Sequence, residues 1–180
     1  MRRPITLEPV LMTFARYGFR KASMEDLARA SGVSRQALYN RFGTKAALAD
    51  WAAQALIDNS LAAALDCLEN PQLPLAQRLA DALDAWAGQH MELMRLSPHG
   101  IEVAAMVGPE AGEAVRGAER KLVAAMVRAM RLSGPGALVP RAGSLAQALC
   151  WTARGLVHAV PDHASFRRQL DQIVGALIAR

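Results

Sequence analysis

Side chains that can hydrogen-bond to bases and phosphates are concentrated in residues 34–45. Arg35 has the planar fork that suits guanine N7 and O6, whereas the amides of Gln36 and Asn40 suit adenine. Ala37 is small, and its methyl group can meet a thymine methyl. This combination is typical of a helix surface that reads base edges.

The apolar spacing in this segment predicts which side of the helix faces outward. Leu38 and Phe42 are four residues apart, so on a helix from Arg35 to Phe42 they share one face, directed inward with Val33. The polar side chains then share the opposite, outer surface with Tyr39.

A second short helix is predicted just before this one. Ser23 and Asp26 have the spacing of a capping box for a helix over residues 24–30. Gly32 suits a left-handed turn, and Ser34 can cap the next helix. Two helices joined by such a turn form a helix-turn-helix, whose second helix enters the DNA major groove.

A preceding helix completes a three-helix headpiece. Thr6 can cap it, Pro9 is tolerated in its first turn, and Gly18 is expected to end it. Its apolar stripe can cover the two helices that follow. Arg2 and Arg3 precede it, either as a disordered terminus or as an arm that reaches the minor groove or a phosphate.

The net charge of +5 lies entirely in the first 50 residues, which hold nine cations and four anions, whereas the rest holds twelve of each. A localised basic surface favours phosphate binding. A solvated basic face that binds nothing is the alternative.

The remaining chain is rich in Ala and Leu, which favours an all-α protein. We predict about nine helices in two domains: a DNA-binding domain at residues 1–48 and a C-terminal effector-binding and dimerisation domain at 49–180. Beyond the headpiece, helices are expected at about 45–68, 75–96, 101–106, 110–132, 141–160 and 164–179, with turn residues between them.

Several other classes of protein find little support. The two cysteines, Cys67 and Cys150, have no metal-binding spacing, so we expect buried thiols in a reducing cytoplasm and neither metal nor cofactor. The sequence shows no signal peptide and no apolar run long enough for a membrane helix. Ser97, His99 and Asp162 could form a catalytic set, but no nucleophile elbow supports an enzyme.

The headpiece resembles the DNA-binding domain of TetR-type (tetracycline-repressor-like) transcriptional regulators over about residues 6–50. The similarity rests on an ordered set of positions: Phe14, Gly18, Ser23-Met24-Glu25-Asp26-Leu27-Ala28, Gly32-Val33-Ser34, Leu38-Tyr39, Phe42, Lys45 and Leu48. Two departures, Thr13 in place of a large apolar residue and Pro9 near the helix start, are expected to loosen the headpiece without removing a DNA contact.

The resemblance implies that Tyr39 and Lys45 bind phosphates. Thr44 lies with Lys45 at a helix N-terminus, which also favours a phosphate. Tyr39 could instead pack its ring beneath the turn, and Arg41 could pair with Glu25 or Asp26. The predicted DNA-binding residues are Ser34, Arg35, Gln36, Ala37, Tyr39, Asn40, Arg41, Thr44 and Lys45.

The resemblance also implies a homodimer whose C-terminal domain binds a small effector and releases the DNA. Apolar and Met-rich positions suggest a pocket for a hydrophobic effector, although ordinary core packing is the alternative. The candidate pocket residues are Trp86, His90, Met94, Met106, Met126, Met130 and Trp151.

The same resemblance implies that the last two helices of two copies form a four-helix interface. The alternative is that these apolar faces serve only the core of one chain. The candidate interface residues are Leu149, Thr152, Ala153, Leu156, Phe166, Leu170, Ile173 and Leu177.

The predicted function is therefore that of a repressor that binds double-stranded DNA as a homodimer. Its two recognition helices would enter successive major grooves of a pseudo-palindromic operator, about 34–36 Å apart. An effector-independent DNA-binding or protein-interaction module with the same headpiece is the alternative.

Overall fold

The computed structural model describes residues 5–91, 109–133 and 139–178. These residues are all-helical, as predicted, and contain eight α-helices. A π-helical turn over Asp84–Gly88 continues α5, and a 3-10 turn over Val139–Arg141 precedes α7. The α-helices are α1 (Leu7–Lys21), α2 (Met24–Ser31), α3 (Arg35–Phe42), α4 (Lys45–Glu69), α5 (Leu75–Leu83), α6 (Pro109–Leu132), α7 (Ala142–Ala159) and α8 (His163–Ile178).

The chain divides into two compact units. The first contains described residues 5–57 and 109–114, and the second contains 58–91, 115–133 and 139–178. The division falls inside α4, after Ile57, whereas the domain boundary predicted from the sequence follows residue 48. The boundary after residue 48 stays a prediction.

The core of the first unit is formed by α1, α2, α3 and the start of α4. Phe14, Leu27, Leu38 and Leu48 are almost completely buried together. Burying a side chain of this size stabilises the fold by roughly 1.5–3 kcal/mol. This shared core fixes the orientation of α3, so its polar residues are left on the surface.

Thr13 is accommodated in this core without an unpaired hydroxyl. Its side chain is buried, and its Oγ1 donates a hydrogen bond of 2.7 Å to the carbonyl of Pro9. The hydroxyl therefore has an acceptor one turn earlier, in the first turn of α1, where Pro9 lies. Both departures from the family pattern meet in this one contact.

In the second unit, α5 and its π-helical turn pack against α7 and α8. Gly88 is needed at the close approach to α8, because a Cβ there would lie 2.6 Å from Cε1 of Phe166. On the same side, Arg167 is paired with Asp81, Asp84 and Asp171, and His163 Nε2 lies 2.7 Å from Asp84 Oδ1. Charged groups thus connect α5 to α8 around the apolar contact.

The helix predictions can be compared with the described ranges. Those for α2, α3, α4, α6, α7 and α8 are confirmed to within one or two residues. Gly18 has φ 74° and breaks the helical backbone of α1, although the helix resumes to Lys21. The fifth helix is α-helical only to Leu83, and the helix predicted at 101–106 lies outside the described residues.

Within the described ranges, no helix combines the length and hydropathy that crossing a bilayer requires.

Candidate DNA-binding surface

Caps at both helix starts position the helix-turn-helix. The Ser23 hydroxyl accepts a hydrogen bond from the Asp26 amide at 3.1 Å, and the Asp26 carboxylate accepts one from the Ser23 amide at 3.1 Å. The Ser23 hydroxyl also donates to the Asp26 carboxylate at 2.5 Å, and this bond, followed by the one from the Ser23 amide, lowers the pKa of Asp26. The Ser34 hydroxyl accepts from the Ala37 amide at 3.1 Å, so both predicted caps are confirmed.

The turn between α2 and α3 has the predicted left-handed residue. Gly32 adopts φ 64° and ψ 30°, and its amide donates to the carbonyls of Ala28 and Arg29. The next amide, that of Val33, also donates to Ala28. Glycine suits this position because a Cβ would strain the left-handed conformation.

The register of α3 is as predicted. Leu38 is fully buried, and Phe42 and Val33 are partly buried against the same core. The side chains of Arg35 and Tyr39 are on the exposed side. The remaining exposed positions of α3 are Gln36, Asn40 and Arg41, while Ala37 is half-buried.

Arg35 and Tyr39 form a pair one helical turn apart. The guanidinium carbon lies 5.4 Å from the centre of the Tyr39 ring, and a side-chain hydrogen bond between them raises the pKa of Arg35. A phenol oxygen that accepts from arginine still has its own proton to donate. Tyr39 can therefore orient Arg35 and still donate to a phosphate, and its ring is not packed beneath the turn.

Gln36 and Asn40 are also paired across one turn. The Gln36 Nε2 donates to the Asn40 Oδ1 at 2.8 Å. The two amides predicted to bind adenine therefore form one hydrogen-bonded unit on the exposed face. A bidentate contact with adenine uses both the oxygen and the nitrogen of one amide, so it involves an atom of this bond.

Arg41 has aromatic neighbours rather than the predicted acidic partners. Its guanidinium carbon is 5.3 Å from the Phe42 ring centre and 5.8 Å from that of Trp51. Asp26 instead lies 3.9 Å from Arg29. Cation–π attraction of this kind is worth about 0.5–1 kcal/mol at an exposed site and leaves the guanidinium edge available for a phosphate.

At the start of α4, Thr44 and Lys45 differ in what their side chains do. The Thr44 hydroxyl accepts from the Ala47 amide at 3.1 Å, which caps the helix. Lys45 Nζ donates to the carbonyls of Phe19, Arg20 and Ala22. Thr44 keeps a hydroxyl proton for a phosphate, whereas the three N–H groups of Lys45 already have protein acceptors.

A surface groove runs beside the exposed face of α3. Its walls include the turn residues and the polar positions of the helix, together with Ile5, which the sequence analysis did not select. Thr6 occupies the N-cap position of α1 but makes no capping hydrogen bond with its side chain. An apolar residue immediately before this position matches a hydrophobic staple, a signal that could have identified Ile5. The groove is lined by Ile5, Gly32, Val33, Ser34, Gln36, Ala37, Asn40 and Arg41.

The candidate pocket residues of the second unit have varied environments. Met126 and Met130 are fully buried, and the Met126 sulfur lies 3.9 Å from Cys150 Sγ. Trp86 is half-buried. Trp151 is 62% exposed, so its predicted place in an enclosed pocket is wrong for the single chain. Ala148 and Gly155, which share this face of α7, are exposed as well, and the buried residues of α7 lie on its other side.

His90 has a polar partner inside the second unit. Its Nε2 lies 3.0 Å from the hydroxyl of Ser60, which is itself buried. Burial lowers the pKa of His90, so the neutral imidazole is favoured at neutral pH. Met94 and Met106, the other two candidate pocket residues, lie outside the described residues.

The predicted dimer interface needs correction at five of its eight positions. Leu149, Ala153, Leu156, Phe166 and Leu170 are buried within one chain and therefore form its core. Thr152 and Ile173 are half-buried, and Leu177 is 40% exposed. Apolar periodicity shows which face of a helix is covered, but it does not distinguish the core of one chain from an interface between two. The residues selected for the interface were therefore those of the inward faces of α7 and α8.

A buried carboxylate on α6 was not predicted. Glu119 is 7% exposed, and its Oε2 lies 2.7 Å from Arg154 of α7. Gln147 donates a longer bond of 3.4 Å to the same carboxylate. Alternating charges at these helix positions are common on surfaces, so the sequence offered no signal for the burial.

A catalytic set and a metal site are the two features that would favour an alternative to DNA binding. Ser97 and His99 of the possible catalytic set lie outside the described residues. Among the residues that are described, no group of three or more His, Cys, Asp or Glu side chains could hold a metal ion. Cys150 is buried as predicted, and burial raises its pKa to about 12, whereas Cys67 is half-buried.

Known proteins resemble the segment that contains this surface. Residues 11–51 match the model for bacterial regulatory proteins of the tetR family. A search of the curated protein sequences found no match.

Solved structures share the fold along almost the whole chain. The TetR-family regulator PfmR from Thermus thermophilus is 17% identical with a TM-score of 0.64, covering 93% of this chain and 95% of that one. A transcriptional regulator from Rhodococcus sp. Rha1 is 22% identical, with a TM-score of 0.63 and coverages of 96% and 94%. GusR from Salmonella enterica is 21% identical, with a TM-score of 0.61 and coverages of 97% and 95%.

At these identities the similarity concerns the fold. The family model covers the helix-turn-helix and the start of α4, where the capped and exposed side chains described above lie. Residues 11–51 are thus similar to the tetR family of bacterial regulatory proteins, and the chain as a whole shares the fold of the solved regulators.

Proposed function

We propose that the protein is a ligand-responsive repressor that binds a pseudo-palindromic operator as a homodimer. The observation that carries the proposal is the exposed face of α3. This face presents Arg35, Gln36, Tyr39 and Asn40, and the buried Leu38 anchors the helix from its other side. The concentration of positive charge in the first 50 residues supports phosphate binding next to it.

In this proposal the side chains divide into two groups. Arg35, Gln36, Ala37 and Asn40 contact base edges, and these contacts determine the sequence of each half-site. Ser34, Tyr39, Arg41 and Thr44 contact phosphates, which fix the register of α3 in the groove.

The homodimer uses the outer faces of the last two helices. Exposed and half-buried positions on these two helices form what we call the outer stripe. It consists of Ala148, Trp151, Thr152, Gly155, Ile173 and Leu177. Exposed Trp and Leu beside small residues are suited to close helix packing between two copies. This stripe replaces the buried residues of the predicted interface.

The regulatory step is a difference in effector affinity between two states of the dimer. A small hydrophobic effector bound in the second unit would favour a spacing of the two headpieces that fits the operator poorly. Its binding site is proposed near Trp86, His90, Met126 and Met130. We place the protein's action in the cytoplasm, where the DNA is.

The effector part of the proposal is tested by a thermal-shift screen of hydrophobic compounds, followed by operator binding with each compound that raises Tm. An effector should raise Tm and weaken operator binding together, because it binds one state preferentially. If no compound raises Tm and the second unit has a filled core, the effector-independent DNA-binding or protein-interaction module is the better description.

A further inference from the structure

The ammonium group of Lys45 is fully engaged within the headpiece. Its Nζ donates to the Phe19 carbonyl at 2.7 Å, to the Ala22 carbonyl at 2.8 Å and to the Arg20 carbonyl at 3.2 Å. A protonated lysine has three N–H donors, so these carbonyls use its full capacity. A phosphate could be bound only by giving up one of these bonds.

The three carbonyls are exposed to this contact because of how α1 ends. Gly18 takes φ 74° and interrupts the helical backbone, and the Ala22 amide turns back to the Gly18 carbonyl at 3.0 Å. The carbonyls of a last helical turn accept no hydrogen bonds from amides of the same helix, and they carry the negative end of the helix dipole. A cation is the natural partner for such a group of oxygens.

The Phe19 ring gives the ammonium a further contact. Lys45 Nζ lies 4.8 Å from the ring centre, within the range of a cation–π interaction. The ring in turn lies 5.9 Å from that of Phe14 in the core of the first unit. The lysine is therefore bound to a part of α1 that is itself anchored.

We propose that Lys45 is a positioning residue, which fastens the end of α1 and the start of α2 to the first turn of α4, and that it does not bind a phosphate itself. Ala22 immediately precedes the Ser23 cap of α2, and Lys45 immediately follows the Thr44 cap of α4. The hydrogen bonds of Lys45 thus fix the helix-turn-helix relative to the N-terminus of α4. This inference rests on the proposed DNA-binding function.

Chemical labelling of the wild-type protein tests the contact without a variant. The chain has three lysines, and Lys21 is exposed at the end of α1 whereas Lys45 is half-buried. With limiting acetic anhydride and no DNA, Lys45 should react several-fold more slowly than Lys21, as measured by mass spectrometry. Equal reactivity of the two lysines in the free protein would overturn the inference.

Two substitutions separate positioning from phosphate binding. The probe is a DNA duplex selected from a random pool by the wild-type protein, and Lys21→Met is the charge-matched control. Lys45→Met should weaken binding by about tenfold or more, as expected for the loss of charge-assisted hydrogen bonds. Lys45→Arg should weaken it similarly, because a planar guanidinium cannot donate to three converging carbonyls.

The salt dependence of binding is the deciding measurement. A lost phosphate contact lowers the slope of log affinity against log salt by about 0.9 per contact, whereas a lost positioning contact leaves the slope unchanged. Binding is measured at a temperature where circular dichroism shows the variants folded. A lower slope in Lys45→Met with full affinity in Lys45→Arg contradicts the proposal, as does a fall in Tm with no fall in affinity.

Failure of this inference is distinguishable from failure of the proposed function. If the wild-type protein selects no DNA, the proposed function fails, but labelling still tests the lysine contact. If Lys45→Met does not fold, Lys45→Arg and the labelling of the wild-type protein still decide the question.

Discussion

The exposed side chains of α3 contact one another in pairs in the free protein. Tyr39 orients Arg35, and Gln36 is hydrogen-bonded to Asn40. Side chains ordered in advance lose less conformational freedom on binding, which favours affinity. The pairing also couples the contacts, so substitutions at Gln36 and Asn40 are not expected to be additive.

Arg35 is the residue whose loss should change base preference most clearly. Arg35→Ala should cost about 1–3 kcal/mol of discrimination at one base position in each half-site, because a bidentate contact to guanine disappears. Competition binding with duplexes changed at single positions measures this effect. Arg29→Ala is the control, since Arg29 lies on α2 near Asp26. Equal weakening of all duplexes by Arg35→Ala would mean that Arg35 contacts only phosphate.

His90 should make stability depend on pH. Burial lowers its pKa in the folded state, so the unfolded chain takes up a proton that the folded chain resists as the pH falls below about 6.5. Stability is therefore complete above that pH and declines below it. We expect Tm to fall more between about pH 7.5 and about pH 5.5 in the wild type than in His90→Gln. Identical pH profiles would exclude this role for His90.

At the scale of elements, α5 and α8 approach closely at Gly88. A Cβ at that position would lie 2.6 Å from the buried Phe166 ring, so Gly88→Ala should destabilise the fold by about 1–3 kcal/mol through overpacking. Gly143→Ala is the matched control, because nothing lies within 4 Å of its added Cβ and alanine favours the helix. Urea unfolding measures both, and equal stability of the two variants would contradict the close approach.

The caps and the turn of the helix-turn-helix could be predicted from the sequence. Caps at Ser23 and Ser34 and the turn at Gly32 depend on local hydrogen bonds and backbone conformation, so residue types were sufficient to predict them. The partners of Lys45 are more than twenty residues earlier in the chain. Contacts at such separation follow from tertiary packing, and the resemblance to a family suggested a phosphate instead.

The exposed and buried faces of the last two helices illustrate a second limit. Phe166 and Leu170 were predicted at an interface but are buried within one chain, whereas Trp151 was predicted in a pocket but is exposed. Both faces of these helices carry apolar residues, and periodicity alone cannot assign one face to the core. Burial in the folded chain was needed to assign them.

At the scale of the whole molecule, the outer stripe of α7 and α8 predicts the oligomeric state. Trp151→Glu and Leu177→Glu should convert a dimer to a monomer, because each would bury an unpaired charge between subunits. Leu132→Glu is the control, since Leu132 is 79% exposed on α6 and lies outside the stripe. Sedimentation velocity at micromolar concentration measures this. A wild-type monomer, or variants that remain dimeric, would contradict the proposed interface.

The net positive charge of the chain is confined to one end of its sequence. The basic first 50 residues contain the groups proposed to bind DNA, and the electrically balanced remainder contains the proposed effector and dimer surfaces. A single helix, α4, begins in the first unit, next to the residues proposed to bind DNA, and continues into the second unit.

The most direct test of the central claim is selection of duplexes from a random pool by the full-length protein, followed by sequencing. The account predicts a pseudo-palindrome whose half-sites are about 10–10.5 base pairs apart, or a multiple of that spacing. Selection with Arg35→Ala should relax one base position in each half-site. Recovery of no enriched sequence, or of an enriched sequence that is unchanged by substitutions at Arg35, Gln36 and Asn40, would contradict the assignment of α3 as the helix that reads DNA.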